Sequence, residues 1–293
     1  MGRALRTARS GGELEDLLSG ARGEKPIGFV PTMGALHEGH LSLVRASLRE
    51  CGTTVASIFV NPAQFGPGED LDAYPRPLEE DRALLEAEGA DVLFLPSVEE
   101  IYPPGPRAFI EVEGLSGLLC GAFRPGHFRG VATVVWKLLR LVDPDAAYFG
   151  AKDAQQLVVI RRMVEDLFGR WTIRALPTVR EEDGLALSSR NRYLAPAERS
   201  AAPALFRALA AGRELLDGGE RRPGMVVRAA NEVLDREPLV RPEYVALVSL
   251  ADLRPVDEAR GDLLLAVAAR VGKARLIDNV ALRVGKRVEE ILP

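Results

Sequence analysis

Residues 27–60 read IGFVPTMGALHEGHLSLVRASLRECGTTVASIFV. Two apolar, β-branched runs, Ile27–Val30 and Thr54–Val60, bracket His40–Glu50, whose apolar residues recur at three and four. This reads as a buried strand, a helix and a second buried strand. The alternation continues outward with strand-like runs at Asp91–Leu95, Ala146–Phe149 and Trp171–Leu176, and helix-length segments at Leu78–Glu88, Val131–Leu141 and Gln155–Phe168. Strands alternating with helices predict an α/β unit built on a doubly wound parallel sheet. After about Val179 the pattern changes to a loop, an Ala-rich helix Pro196–Leu216, a helix Met225–Asp235, and strand-like Tyr244–Ser249 and Leu263–Ala269. That predicts a smaller α+β C-terminal domain. No internal repeat or low-complexity tract separates the two parts.

The 293 residues are 47% hydrophobic and 27% charged, which places the chain among ordinary globular proteins and against disordered or fibrous classes. Its net charge of -4 supplies no general attraction for nucleic acid or an anionic membrane, so phosphate recognition has to be local. No apolar run approaches the roughly 20 residues of a membrane span. Met1–Gly20 mixes Arg and Glu without the apolar stretch of a signal peptide, so a cytoplasmic protein is expected. Cys51 and Cys120 have no CxxC or Cys/His ligand spacing and read as core filler.

In an open parallel sheet, ligands bind beyond the carboxyl ends of the strands. Four polar clusters fall there. Pro31–His40 follows the first strand, Asn61 and Gln64 the second, Gly150, Lys152, Asp153 and Gln156 the fourth, and Thr178–Asn191 the fifth. In the first cluster, Gly34 and Gly39 allow close backbone approach, and His37 and His40 aim two imidazoles from a helix entrance. The helix N-terminus adds partial positive charge, which suits a triphosphate. A histidine pair is also compatible with surface decoration or a metal site, but H-E-x-x-H spacing is absent and the strand-then-glycine context favours phosphate.

Lys152 suits nucleotide phosphates, with a solvated surface lysine as the plain alternative. Asp153 suits ribose hydroxyls or capping of the next helix. Gln156 lies one turn beyond Lys152. Ser188, Ser189 and Arg190 place two hydroxyls and a guanidinium in one loop, a grip on phosphate that could close late. Asn61–Pro77 is rich in Gly and Pro and lacks periodicity, the signature of a lid or binding loop, with a surface insertion as the plain alternative. Glu79, Glu80 and Asp81 open a helix whose dipole favours acidic residues, with a role near Mg²⁺ as the sharper alternative.

Taken together, Pro31–Leu41, Asn61–Phe65, Tyr74–Arg76, Gly126–Val131, Gly150–Gln156 and Leu187–Asn191 closely resemble the pantothenate synthetases, or pantoate–β-alanine ligases, over nearly the whole chain. The His-x-Gly-His element alone indicates only the wider HxGH nucleotidyltransferase and class I aminoacyl-tRNA synthetase group.

The resemblance implies a Rossmann-like domain over 1–178 that binds ATP and pantoate, and a C-terminal lid domain over 179–293. It implies ATP as co-substrate, Mg²⁺, a homodimer, and pantoate and β-alanine as substrates, joined through a pantoyl adenylate. No nucleic acid or membrane partner is expected. Met33, Gly34, Ala35, Leu36, His37, Glu38, Gly39 and His40, with Gly150, Ala151, Lys152 and Asp153, would line ATP. Val179, Leu187, Ser188, Ser189 and Arg190 would complete that site, and Gln64 and Gln156 would hold pantoate. His40, His37, Lys152, Ser188, Ser189 and Arg190 would carry catalysis. Ala151 stands where the family often has Glu, Ala63 where a larger residue is common, and Leu84 where some relatives are polar. No protein metal ligand is assigned.

The nearest rival enzyme is an adenylyltransferase that leaves AMP on its product. The rival outside catalysis is a nucleotide- or RNA-binding module, and the acidic balance and lack of an aromatic-basic stripe speak against RNA.

Overall fold

The computed structural model describes residues 4–23 and 25–293, so Met1, Gly2 and Arg3 of the amino-terminal stretch, and Glu24, lie outside the described residues. The chain forms two compact units. One comprises Met1–Ser116, Arg124–Gly150 and Val159–Leu176, and the other Gly117–Phe123, Ala151–Val158 and Pro177–Pro293.

The first unit is a six-stranded, wholly parallel sheet: β1 (Arg6–Ala8), β2 (Ile27–Thr32), β3 (Thr53–Ile58), β4 (Val92–Phe94), β5 (Ala146–Gly150) and β6 (Thr172–Leu176). Their order is β1-β4-β3-β2-β5-β6, so the chain winds one way from β2 through β3 to β4 and then returns to add β5 and β6. The reversal falls between β2 and β5, which is where an open sheet forms its ligand crevice.

β2 and β5 pair only at Gly28↔Ala146 and Phe29↔Ala147, and beyond that register they part. Pro31 stands past the last pair, so its missing N–H removes no ladder bond toward β5.

Helices flank the sheet. Glu38–Glu50 packs against Leu78–Glu88, and Gly11–Leu18 against His127–Val142. Leu41, Leu43 and Val44 of the first helix are buried, and a cluster including Val30, Ile58, Leu85, Leu93 and Tyr148 packs together beneath it. Each fully buried large apolar side chain contributes about 1.5–3 kcal/mol, offset by the entropy of ordering the chain. The helix expected at Val131–Leu141 begins earlier, at His127.

The second unit carries an antiparallel sheet of order β10-β9-β8-β7, from β7 (Val240–Ser249), β8 (Gly261–Val271), β9 (Ala274–Val284) and β10 (Val288–Ile291). Leu205, Leu209, Leu216, Val226, Ala230 and Leu234 from helices Ala204–Asp217 and Pro223–Leu234 share one core with Leu263, Leu265 and Leu276 of this sheet. The single helix expected over Pro196–Leu216 is two, Pro196–Ala201 and Ala204–Asp217. Pro203 lies between them, because proline supplies no N–H and crowds the preceding turn. No helix among the described residues is long and apolar enough to cross a membrane.

Candidate active site

The loop leaving β2 is held by hydrogen bonds at nearly every residue. Thr32 Oγ1 donates to Ser57 O at 2.7 Å and accepts Gly34 N–H at 3.1 Å. Gly34 and Ala35 both occupy left-handed backbone, with φ 81° and 51°. A Cβ at Gly34 would lie 2.9 Å from Asp81 Oδ2 and 3.0 Å from Ile58 Cγ2, so conformation and space both require glycine there. At Ala35 the left-handed state costs about 1–2 kcal/mol.

Asp81 stabilises the strained turn. Its Oδ2 accepts Ala35 N–H at 2.8 Å and its Oδ1 accepts Leu36 N–H at 2.7 Å. Of the three acidic residues that open the helix Leu78–Glu88, Glu79 and Glu80 are exposed to varying degrees and Asp81 is buried. Both Asp81 oxygens therefore serve the loop. Sequence reasoning missed this anchor because the partners are 46 and 45 residues away.

His37 is the N-cap of the helix Glu38–Glu50. Its Nδ1 accepts Gly39 N–H at 3.2 Å, while His40 Nδ1 accepts His37 N–H at 3.3 Å, a reciprocal capping box. The ring centroids are 4.1 Å apart. A neutral imidazole that accepts at Nδ1 carries its proton on Nε2, so the cap sets the same tautomer in both rings. Met33 is half-buried, Leu36 is buried, and Glu38 is exposed and paired with Arg45.

The loop after β3 opens with a 3-10 turn, Pro62–Gln64, capped by Asn61. Asn61 is 1% exposed. Its amide donates to Gly130 O at 3.1 Å and to Gln64 Oε1 at 3.0 Å, and its oxygen accepts from Tyr102 OH at 2.9 Å. Gln64 Nε2 in turn donates to Met33 Sδ at 3.1 Å, so the structure brings together two of the expected site residues from separate loops.

Arg124 NH1 lies 3.1 Å from His127 Nε2, and because arginine cannot accept, His127 donates its Nδ1–H to Gln64 O at 2.8 Å. Arg124 also pairs with Glu69 at 2.5 Å. Burial pushes the Glu69 carboxyl up, but the hydrogen bond and charge of Arg124 prevail and hold it at about 2. A cavity of about 190 Å³ opens beside this network, lined by Gln64, Phe65, Phe109, His127, Arg129 and Gly130 among others.

Gly150 ends β5 in the sheet unit, and the remaining expected residues belong to the second unit. Ala151, Lys152 and Asp153 form a 3-10 turn, with Lys152 Nζ 3.7 Å from Asp153 Oδ2. Gln156 is half-buried in the following helical turn. Its neighbour Gln155 ties down another segment, accepting Cys120 N–H at 3.0 Å and donating to Leu118 O at 2.7 Å.

Val179 and Leu187 face each other across a tight excursion, with Leu187 N–H on Val179 O at 3.0 Å. Ser188 caps the 3-10 turn Ser189–Tyr193 by accepting Arg190 N–H at 3.3 Å, and Ser189 is buried. Half-buried Arg180 and buried Asp278 form an ion pair at 2.7 Å beside this loop, a second contact the sequence reading did not anticipate. Of the two cysteines, Cys120 is buried and Cys51 only half-buried.

Comparison with known proteins follows the same outline. The Pantoate-beta-alanine ligase family model matches residues 6–281. The pantothenate synthetase of Heliobacterium modesticaldum is 55% identical over 264 residues, covering 90% of this chain and 94% of that protein. The crystal structure of pantothenate synthetase from Thermus thermophilus superposes with a TM-score of 0.89 at 52% identity, covering 94% of this chain and 98% of that one. The pantoate-β-alanine ligase of Francisella tularensis, complexed with beta-gamma ATP and β-alanine, gives 0.77 at 34% identity, covering 94% and 97%. A family match over nearly the whole chain, with a solved relative that superposes over 94% of it, establishes that this chain is an enzyme of the pantoate–β-alanine ligase family.

Proposed function

We propose that this ligase makes pantothenate in two half-reactions, with ATP as co-substrate and a pantoyl adenylate between them. The observation that carries the reading is the reciprocal cap between His37 and His40, which sets the Nε2–H tautomer in both rings at a helix N-terminus. Hydrogen-bond donors fixed beforehand are worth most where negative charge develops in the transition state.

In the first half-reaction a pantoate carboxylate oxygen attacks the α-phosphorus of ATP. The bond to the bridging oxygen breaks, and pyrophosphate leaves with the electron pair. Gln64 and Gln156 hold the pantoate, and His37, His40 and Lys152 bear on the oxygens that gain charge. Met33–His40 and Gly150–Asp153 line the nucleotide, and Val179 with Leu187–Arg190 completes its site. In the second half-reaction the neutral amine of β-alanine attacks the acyl carbon, loses a proton, and AMP leaves with the electrons of the broken acyl–oxygen bond. The Asn61–Pro77 loop keeps water from the adenylate.

Mg²⁺ belongs to this reading as a companion of the nucleotide. Both Asp81 oxygens are engaged by backbone N–H groups, and no cluster of three or more His, Cys, Asp or Glu suited to a metal occurs among the described residues. Held with the nucleotide, such an ion would supply positive charge against the departing pyrophosphate. We assign it no protein ligand. The same reading has residues 1–178 bind ATP and pantoate and residues 179–293 act as a lid, in a cytoplasmic homodimer.

The test is pantoate-dependent ATP–pyrophosphate exchange. The expected result is exchange with pantoate alone, and release of AMP and pantothenate only once β-alanine is added. An enzyme that turned over to a stable adenylylated product, indifferent to β-alanine, would be an adenylyltransferase instead.

A further inference from the structure

Asp278 and Asn279 are consecutive residues of β9, so their side chains leave opposite faces of the strand. Asp278 shares its face with Leu276 and Leu282 of the apolar core, where a carboxylate is out of place unless it is paired. It is 3% exposed. Arg180 reaches it with two hydrogen bonds, at 2.7 and 3.0 Å, and the Asn279 N–H adds a third at 2.8 Å. Arg180 also donates to Gly184 O at 3.0 Å and stacks over Phe206 at 4.7 Å. This strand thus grips the loop that begins at Val179.

On the other face, Asn279 is 8% exposed and donates to two backbone carbonyls, Ala151 O at 3.1 Å and Lys152 O at 2.7 Å. These belong to the 3-10 turn that carries Lys152. Neither bond serves the sheet itself. A β-branched apolar residue would suit the strand better, so the amide at 279 is explained by what it holds. Pinning the carbonyl of Lys152 fixes the peptide plane and hence the direction in which its side chain departs.

We propose that Asn279 is a positioning residue for the ligation reaction, acting through Lys152, with the Asp278–Arg180 pair anchoring the strand behind it. This rests on the reading of Lys152 as a group that bears on the nucleotide phosphates. A flexible ammonium loses effectiveness when its origin wanders, and misplacement by about 1 Å costs on the order of 10²-fold. Pyrophosphate departs only in the first half-reaction, so the effect of Asn279 is confined to that step.

The experiment is a double-mutant cycle read by single-turnover kinetics on the full chain. Asn279→Ala, Lys152→Ala and the double variant are compared with wild type in adenylation of pantoate and, separately, in aminolysis of supplied pantoyl adenylate. Asn279→Ala is expected to slow adenylation by about tenfold or more, to change aminolysis by less than about twofold, and to add less than about twofold in the Lys152→Ala background. Asn279→Asp, which sets a carboxylate against two carbonyl oxygens, should be slower in adenylation than Asn279→Ala. Equal slowing of both half-reactions, or a full additional loss on top of Lys152→Ala, overturns the proposal.

A Lys152→Ala enzyme adenylating at the wild-type rate overturns it as well, and by a separate route, since it removes Lys152 from the chemistry. Where Asn279→Ala does not fold, Asn279→Ser, which keeps one donor, takes its place in the cycle. If neither folds, Asn279 is a structural residue and the proposal fails.

Discussion

The carboxylate of Asp81 holds the N–H of Ala35 at 2.8 Å and that of Leu36 at 2.7 Å, tying the start of one helix to the loop that enters another. The turn it holds contains two successive left-handed residues, one of them not glycine. Such a turn persists only where its surroundings over-determine it.

Asp81→Asn replaces one acceptor with a donor that faces an N–H group. Stability should fall by about 2–3 kcal/mol, measured by urea unfolding. Pyrophosphate exchange should fall with it, because the histidine cap follows directly on this turn. Wild-type stability in the variant would strip Asp81 of its role as the loop anchor.

His37 both caps its helix and, in the proposed reaction, donates to phosphate. Asparagine is a good N-cap but has no imidazole, so two substitutions separate the roles. His37→Ala should lose about 1 kcal/mol of stability, whereas His37→Asn should stay within about 0.5 kcal/mol of wild type. Adenylation should slow by roughly 10²-fold in both. Recovery of the rate in His37→Asn would mean that the cap, and not the ring, is what the reaction needs.

Gly130 sits where the helix His127–Val142 meets the Asn61–Gln64 turn, and a Cβ there would lie 2.5 Å from the Ala63 carbonyl carbon and 2.6 Å from Gln64 N. Backbone cannot rotate aside as a side chain can. Gly130→Ala should therefore displace the turn, cost about 1–3 kcal/mol, and raise the KM for pantoate more than that for ATP. Thermal melts and initial rates with each substrate varied in turn check both parts. Equal changes in the two KM values would place Gln64 elsewhere than at pantoate.

Glu69 is held at about 2 against an ordinary value of 4.5, chiefly by Arg124 acting against the penalty of burial. A carboxylate depressed in the folded state contributes stability that is fully present above the unfolded value and is lost as pH falls toward the folded one. The Asn61–Pro77 loop should accordingly loosen between about pH 4.5 and 2. Glu69→Gln should flatten that part of the stability-versus-pH curve, with a loss of about 1 kcal/mol at neutral pH. Parallel acid limbs in the two proteins would count against the pair.

The alternation of apolar runs determined the parallel sheet, because a strand covered on both faces by helices needs a continuous hydrophobic stretch and each covering helix needs its stripe. It likewise marked the loops that follow the strands, and with them His37, His40, Gln64 and Lys152, since ligands gather at the carboxyl ends of such a sheet. Other features were decided only in three dimensions. β1 has three residues, Arg6-Thr7-Ala8, and no pattern of its own; it is a strand because β4 pairs with it. β9 escaped notice because Asp278 and Asn279 interrupt its apolar run, and they are tolerated because Arg180 and two backbone carbonyls complete their hydrogen bonds. Asp81 looked like ordinary acidic decoration of a helix N-terminus until folding brought Ala35 and Leu36 against it. Periodicity records what a residue must do within its own element. Partners many residues away are set by packing, which local pattern does not encode.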